Sequence, residues 1–223
     1  MTNEIAVRNG QTEVSPWRAY ADETQASAIA GDILKFVKGR WYRGEEKKLV
    51  EPDLRLLCNM HEIWSGWVRW FKGKPVEHRI RRLIDNPPKL SRNDLGHLDE
   101  KLWETDPSGN PKDPWAMTDR LVMKDIDTDD LLTFSTSSWG GRKALGKLCR
   151  AFDRDHRGDS TVFPVVQLGV VTRQHDTYGP IDEPSFEIVG WRRWDDNGPS
   201  VEVTSDDPRT QIRDALEDDE IPF

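Results

Sequence analysis

The sequence predicts a mainly β body with one clear helix, arranged as an OB-like Greek-key barrel with a long loop insertion and a disordered acidic C-terminal tail. Three observations lead there. Short runs rich in Val, Ile, Trp and Phe recur between Gly and Pro turn signals. Only one segment carries an unambiguous 3.6-residue apolar stripe. Residues 198–223 are polar and acidic, a composition that cannot bury enough apolar surface to order itself. With 223 residues, the chain is long enough to enclose a full core.

Residues 1–28 are weakly patterned and read as a loose N-terminal arm ahead of a body spanning 29–197. Residues 31–39 read as a strand between glycines, with Arg40-Trp41-Tyr42-Arg43-Gly44 as its exit. Residues 54–60 form a second apolar run. The third, 64–71, would suit a helix through Trp64, Trp67, Val68 and Phe71, but its aromatic and β-branched content and the following Lys72-Gly73-Lys74-Pro75 turn favour a strand. Residues 75–117, rich in Pro, Asp and Asn, read as an insertion loop with one short helix or turn near 95–103. Strand character returns at 120–123 and 131–136, separated by a loop marked by Asp125, Asp127, Asp129 and Asp130. Ser137 or Ser138 then caps a helix with the stripe Leu145, Leu148, Cys149 and Phe152. Strands at 163–172 and 185–194 close the body. Three strand units, a helix and two closing strands is the element order of an OB-fold.

A net charge of −8 argues against a polyanionic partner until its distribution is read. Residues 35–92 hold 15 Lys/Arg against 7 Asp/Glu, residues 93–130 hold 4 against 11, and residues 202–223 hold 2 against 8. A basic segment is therefore masked by an acidic loop region and an acidic tail. Ten tryptophans are interleaved with these cations. Flat rings stack on unpaired bases while neighbouring cations track phosphates, which is the chemistry of single-strand binding. The candidate nucleic-acid-binding residues are Lys35, Lys38, Arg40, Trp41, Tyr42, Arg43, Arg69, Lys72, Trp139, Arg142, Lys143, Arg192, Arg193 and Trp194. At least half of the tryptophans are expected to be structural, as Trp usually is. Trp41, Tyr42, Trp139 and Trp194 lie near element ends, where exposed stacking is expected.

The chain closes on Asp218-Asp219-Glu220-Ile221-Pro222-Phe223. This acidic run ending in Ile-Pro-Phe resembles the C-terminal tip of bacterial single-stranded DNA-binding proteins, with Glu220 where that family more often has Asp. The resemblance covers about ten residues plus the linker, and implies docking of replication, repair and recombination proteins through the tip. A terminal Phe with its own carboxylate offers an apolar plug and an anion to a basic-rimmed pocket, and Pro222 stiffens the approach. Thr136-Ser137-Ser138-Trp139-Gly140-Gly141 and Phe186-Glu187-Ile188-Val189-Gly190-Trp191 are similar to segments of uncharacterised phage- or prophage-encoded proteins.

Other constellations carry less. Gly141-Arg142-Lys143-Ala144-Leu145-Gly146-Lys147 fits the P-loop spacing, but Leu148 stands where a hydroxyl should hold Mg²⁺ and the helical stripe runs through it. Gly140-Gly141 ahead of that helix remains suited to a DNA phosphate at its N-terminus. Asp125, Asp127 and Asp129 alternate like a calcium loop without its Gly or its terminal Glu. The five histidines are scattered and no nucleophile sits beside a base, so no enzymatic activity, cofactor or metal is expected. Cys58 and Cys149 read as core residues. No apolar run approaches the roughly 18 residues that span a bilayer, and the N-terminus lacks a signal pattern. The expectation is a cytoplasmic protein of a bacterial cell that coats and protects single-stranded DNA, with phage encoding and a homo-oligomeric state left open. Two rivals remain: a phage factor that mimics the tip to occupy host pockets without binding DNA, and a nuclease or recombinase subunit using the acidic loop as a metal site.

Overall fold

The computed structural model describes residues 29–51, 53–156, 159–176, 179–195 and 201–202. The expected arm at 1–28, and the tail from 203 onward with its tip, lie outside the described residues. The body is mainly β with a single long helix.

The chain begins with a hairpin of β1 (Asp32–Val37) and β2 (Arg40–Arg43), closed by Lys38 and Gly39, both at positive φ, the turn hand that matches strand twist. A short β3 (Lys48–Leu49) extends it. Next come β4 (Arg55–Phe71) and β5 (Lys74–Arg82), joined by Lys72 and Gly73 in the same kind of turn. Two single 3-10 turns, at Arg92–Leu95 and Glu100–Leu102, precede the small separate hairpin of β6 (Glu104–Thr105) and β7 (Pro111–Lys112). Then follow β8 (Trp115–Asp125), β9 (Leu131–Thr136), α1 (Trp139–Asp155), β10 (Val162–His175), β11 (Gly179–Arg193) and β12 (Val201–Glu202).

These strands form one mixed sheet in the order β12-β11-β10-β4-β8-β9-β1-β2-β3, with β5 paired to β4 beside the path. Only the β1–β9 pairing is parallel among the described residues; Ile33 lies opposite Thr133 there. The path curls. Trp41 of β2 donates its indole N–H to the Gly169 carbonyl of β10 (3.0 Å) and packs 5.8 Å from Phe186 of β11. Side chains thus meet across the curl, but no backbone pairing among the described residues closes the sheet into a barrel.

The main core lies inside the curl and gathers Leu34, Trp41, Leu56, Cys58, Leu121, Met123, Leu132 and Phe134 against Leu145 and Leu148 of α1. Ser138 caps α1 by accepting from the Gly141 N–H (3.1 Å). A Cβ at Gly141 would sit 2.2 Å from the Thr136 hydroxyl, so the first turn of α1 needs glycine to seat against the end of β9. Cys58 and Cys149 are free thiols; burial pushes both up, Cys149 to about 11, and neither is poised to react.

Three sequence expectations change. The runs 54–60 and 64–71 are one 17-residue strand, because no Gly or Pro interrupts residues 55–65; the break in pairing between Cys58 and Ile63 is absorbed within β4. The supposed loop 75–117 begins with β5, which pairs with β4 alone, and at such an edge the missing N–H of Pro75 is tolerated. Val201 and Glu202, placed in the tail by composition, pair with Trp191 and Gly190.

Beyond Ile63, β4 leaves the main core and, with β5 and the facing part of β8, forms an arm with a small core of its own, Trp64, Val68 and Ile80. Gly66, at φ +154°, lets β5 close in: a Cβ there would lie 2.2 Å from the Arg79 carbonyl.

Candidate nucleic-acid interface

The first turn of α1 carries three candidate residues, and they diverge to two clefts. Trp139, its first residue, is 61% exposed, the right setting for a stacking ring. The Lys143 ammonium lies 4.8 Å from its ring centroid and the Arg173 guanidinium 5.2 Å. Both cations also meet Glu183, at 3.5 and 3.6 Å. Lys38, at the β1–β2 turn, lines the same cleft. A base stacking on Trp139 would displace a cation–π contact of about 0.5–1 kcal/mol and gain about 1–3 kcal/mol, so stacking wins.

Arg142 points the other way. Its guanidinium donates to the Asp119 carboxylate (3.1 Å), which also accepts from the Ser65 hydroxyl (2.7 Å). It thereby walls a cleft of about 390 Å³ between α1 and the arm. Because side chains alternate along a strand, Trp67 and Ser65 of β4, Arg79 and Arg81 of β5 and Met117 of β8 share one face of the arm and line this cleft. Lys89 closes its far wall. Four cations line the cleft and no carboxylate does. Arg79 is held by Glu77 (2.9 Å), whereas Arg81 and Lys89 have no carboxylate partner among the described residues. Burial raises the Glu77 carboxyl, but hydrogen bonds from Arg79 and Arg69 outweigh it and keep it below the usual range. On the opposite face of the arm, burial and the nearby Arg120 hold the His78 imidazole below its ordinary value.

The other candidates fall into distinct places. Lys35 and Arg40 are exposed on the β1–β2 hairpin, with Tyr42 half-buried opposite Lys35. Trp41 is a correction: it is 6% exposed and packs on Phe36 and Phe134. Strand alternation explains it, since Arg40 and Tyr42 occupy the outer face and Trp41 must take the inner one. Arg43 is spent on structure, bridging Asp32 (2.8 Å) and Asp130 (2.7 Å). Arg69 pairs with Glu77 (3.2 Å), and Lys72 is exposed at the arm's tip beside Phe71.

Arg192 is 9% exposed and Arg193 pairs with Asp159 (3.0 Å). Trp194 packs edge-on against Phe163, with the Lys124 ammonium over its ring, and is not an open stacking surface. Ten residues of β11 separate Glu183 from Arg193, about 33 Å, so the 192–194 cluster belongs to no site shared with Trp139. The acids of the 125–130 loop meet cations: Asp127 with Arg55, Asp129 with Lys124, Asp130 with Arg43. The tip residues Asp218, Asp219, Glu220, Ile221, Pro222 and Phe223 lie outside the described residues.

Sequence reasoning missed Trp67, Arg79, Arg81, Lys89, Met117 and Arg173. For the two arginines a signal was present: Glu77, Arg79 and Arg81 alternate with His78 and Ile80, the period of a strand with one apolar and one charged face.

Comparison with known proteins gives no match. No protein-family model, curated protein or solved structure matches the chain.

Proposed function

We propose that this protein binds single-stranded DNA along the path from Trp139 to the basic cleft of the arm, and docks replication, repair or recombination proteins through its C-terminal tip. The observation that carries the proposal is the start of α1: an exposed ring flanked by two cations, three residues from Arg142, which is held by Asp119 and walls a cleft also lined by Arg79, Arg81 and Lys89. Stacking and phosphate contacts do not read base edges, so recognition is sequence-tolerant.

The strand order supports an OB-like body. β4, β8 and β9 form a meander, α1 follows, β10 returns to pair with β4, and β11 pairs with β10. In this scheme the β1–β2 hairpin occupies the place beside the third strand, leaving the barrel open. OB-folds bind oligonucleotides with the loops joining strands one to two and four to five. Here the first of those connections carries Arg79, Arg81 and Lys89, and the hairpin made by the second carries Arg173. The tip's likeness to bacterial single-stranded DNA-binding proteins supplies the partner class and a setting in the bacterial cytoplasm, with phage encoding suggested by the body segments.

The test is a mobility assay with single- and double-stranded oligonucleotides at several salt concentrations, using the full chain and one lacking residues 217–223. The full chain should prefer single strands, with affinity falling as salt rises. The shortened chain should bind DNA as well or better and lose its protein partners. Failure of both chains to bind any DNA, with partner recovery intact, would identify a tip mimic instead.

A further inference from the structure

Three residues form one row across the sheet: Thr136 of β9, Asp119 of β8 and Ser65 of β4, each directly opposite the next. Opposite residues of an antiparallel pair share a face, so the three side chains stand side by side. Gly141 of α1 seats on Thr136, where its missing Cβ allows the close approach, and the next residue, Arg142, thereby meets Asp119. The Asp119 carboxylate divides its oxygens. Oδ2 accepts from the Arg142 Nε (3.1 Å) and Oδ1 from the Ser65 hydroxyl (2.7 Å). One carboxylate of β8 thus ties together two lining residues of the basic cleft, one on α1 and one on the arm.

The other walls of the cleft are held in other ways. A strap, residues 86–97, carries Lys89 and is pinned to the arm by the Trp67 indole, which donates to the Leu90 carbonyl (3.0 Å), and by Arg92, which clamps Asp113 (2.6 Å). Arg79 is fixed by Glu77 (2.9 Å). Arg142 is the cation that reaches this cleft from α1, and its described side-chain bond is made by Nε alone, which leaves both Nη groups for a phosphate. Asp119 is 8% exposed and stands behind the cleft, whereas Glu183, the acid that meets Lys143 and Arg173, lines theirs. With the Arg142 side chain 37% exposed, the ion pair adds little to the fold. What it secures is the direction of the guanidinium.

Resting on the reading that this cleft binds single strands, we propose that Asp119 is a positioning residue for that binding: it touches no DNA and aims Arg142 at a phosphate. An untethered arginine gives up its rotamer freedom when the strand arrives, whereas one already held gave it up in folding. A carboxylate near a polyanion also repels it, so positioning and repulsion predict opposite signs for the removal of Asp119. The Arg142 guanidinium lies between the carboxylate and the cleft and blunts the repulsion, so positioning wins.

The test is fluorescence anisotropy with the full-length protein and a labelled thymidine oligonucleotide of about 20 residues. Asp119→Ala should weaken binding about 2- to 12-fold, the penalty of ordering one long side chain. Asp119→Asn should restore most of that affinity, since its oxygen can turn to Arg142 while its amide donates to the Ser65 hydroxyl. Both variants remove the same charge, so equal binding by the two, at or above the wild-type affinity, would overturn the proposal in favour of simple repulsion. On an Arg142→Gln background, Asp119→Ala should change affinity by less than about twofold. A full effect there would also overturn the proposal, because Asp119 would then act through something other than Arg142. Arg142→Lys, a change at the more exposed partner, keeps the charge but not the fork, and should weaken binding about as much as Asp119→Ala. Wild-type affinity in that variant would overturn the proposal even if Asp119→Ala fails to fold. A wild-type chain that binds no oligonucleotide would instead overturn the underlying reading.

Discussion

Replacing Trp139 by Ala separates a binding role from a structural one. The ring is 61% exposed, and its described contacts with charged groups are two cation–π approaches, so the fold should lose at most about 1–2 kcal/mol. For a domain of this size that lowers Tm by a few degrees, at about 2–4 °C per kcal/mol. Glu183 remains to hold Lys143 and Arg173 near their present positions. Binding should suffer more: one lost stack of about 1–3 kcal/mol is a 5- to 150-fold rise in Kd. The slope of log affinity against log salt should not change, because an indole releases no counterion. Fluorescence anisotropy with a labelled oligonucleotide across a salt series reads both quantities, and thermal melts followed by circular dichroism read the third. Trp139→Phe should recover part of the affinity. An unchanged Kd would refute the reasoning, and so would a loss of affinity that tracks a changed salt slope.

Three further outcomes are expected. Trp41→Ala should destabilise the protein by about 3–5 kcal/mol in urea unfolding, since it empties a site packed by Phe36, Phe134 and Phe186 and deprives the Gly169 carbonyl of the indole N–H. Arg81→Gln should leave the melting temperature in place but reduce the salt slope by about 0.7, the value of one phosphate contact on a single strand, as read by the same anisotropy series. Because the folded His78 pKa lies below its ordinary value, the unfolded chain binds a proton more readily; stability should therefore be full above about pH 6.5 and fall as the pH drops below it. In His78→Gln, melts at pH 7.5 and pH 5.5 should show less of that fall than the wild type.

Local signals made much of this fold legible. β9 falls at Leu131–Thr136 as its β-branched and aromatic run predicts, and Ser138 caps α1 because a hydroxyl one residue ahead of an apolar stripe has that use. The errors arose where the outcome depended on distant partners. Trp41 sits between cations in sequence, which suggested a stacking ring; its inward face is decided by β10 and β11, more than 120 residues away. Arg43 looked available until Asp130, 87 residues on, claimed it. β5 was hidden by Pro75 and by its own charges, and only the existence of β4 as a neighbour makes it a strand. Within the candidate site, the nearness of Trp139, Arg142 and Lys143 at the start of α1 was readable from the capped helical stripe, but their divergence to two clefts was not. Nor was the basic cleft, because it draws on β4, β5, β8, α1 and the strap at once.

The parallel pairing of β1 with β9 also sets an order of assembly. Ile33 waits for Thr133, a hundred residues later in the chain, so a nascent polypeptide makes the β1–β2 hairpin long before its dock exists. Until β9 emerges, the hairpin must hold the Trp41 indole in water or against a temporary partner. Once β9 is made, its open edge offers the hairpin's place to any unpaired strand nearby. Ala30 helps decide that contest: it exchanges two hydrogen bonds with the Thr133 hydroxyl, at 2.8 and 2.9 Å, a polar latch that a foreign strand would have to reproduce. Long-range pairings of this kind are slow to form, so folding speed, as much as final stability, is the quantity that a substitution removing the Thr133 hydroxyl should change.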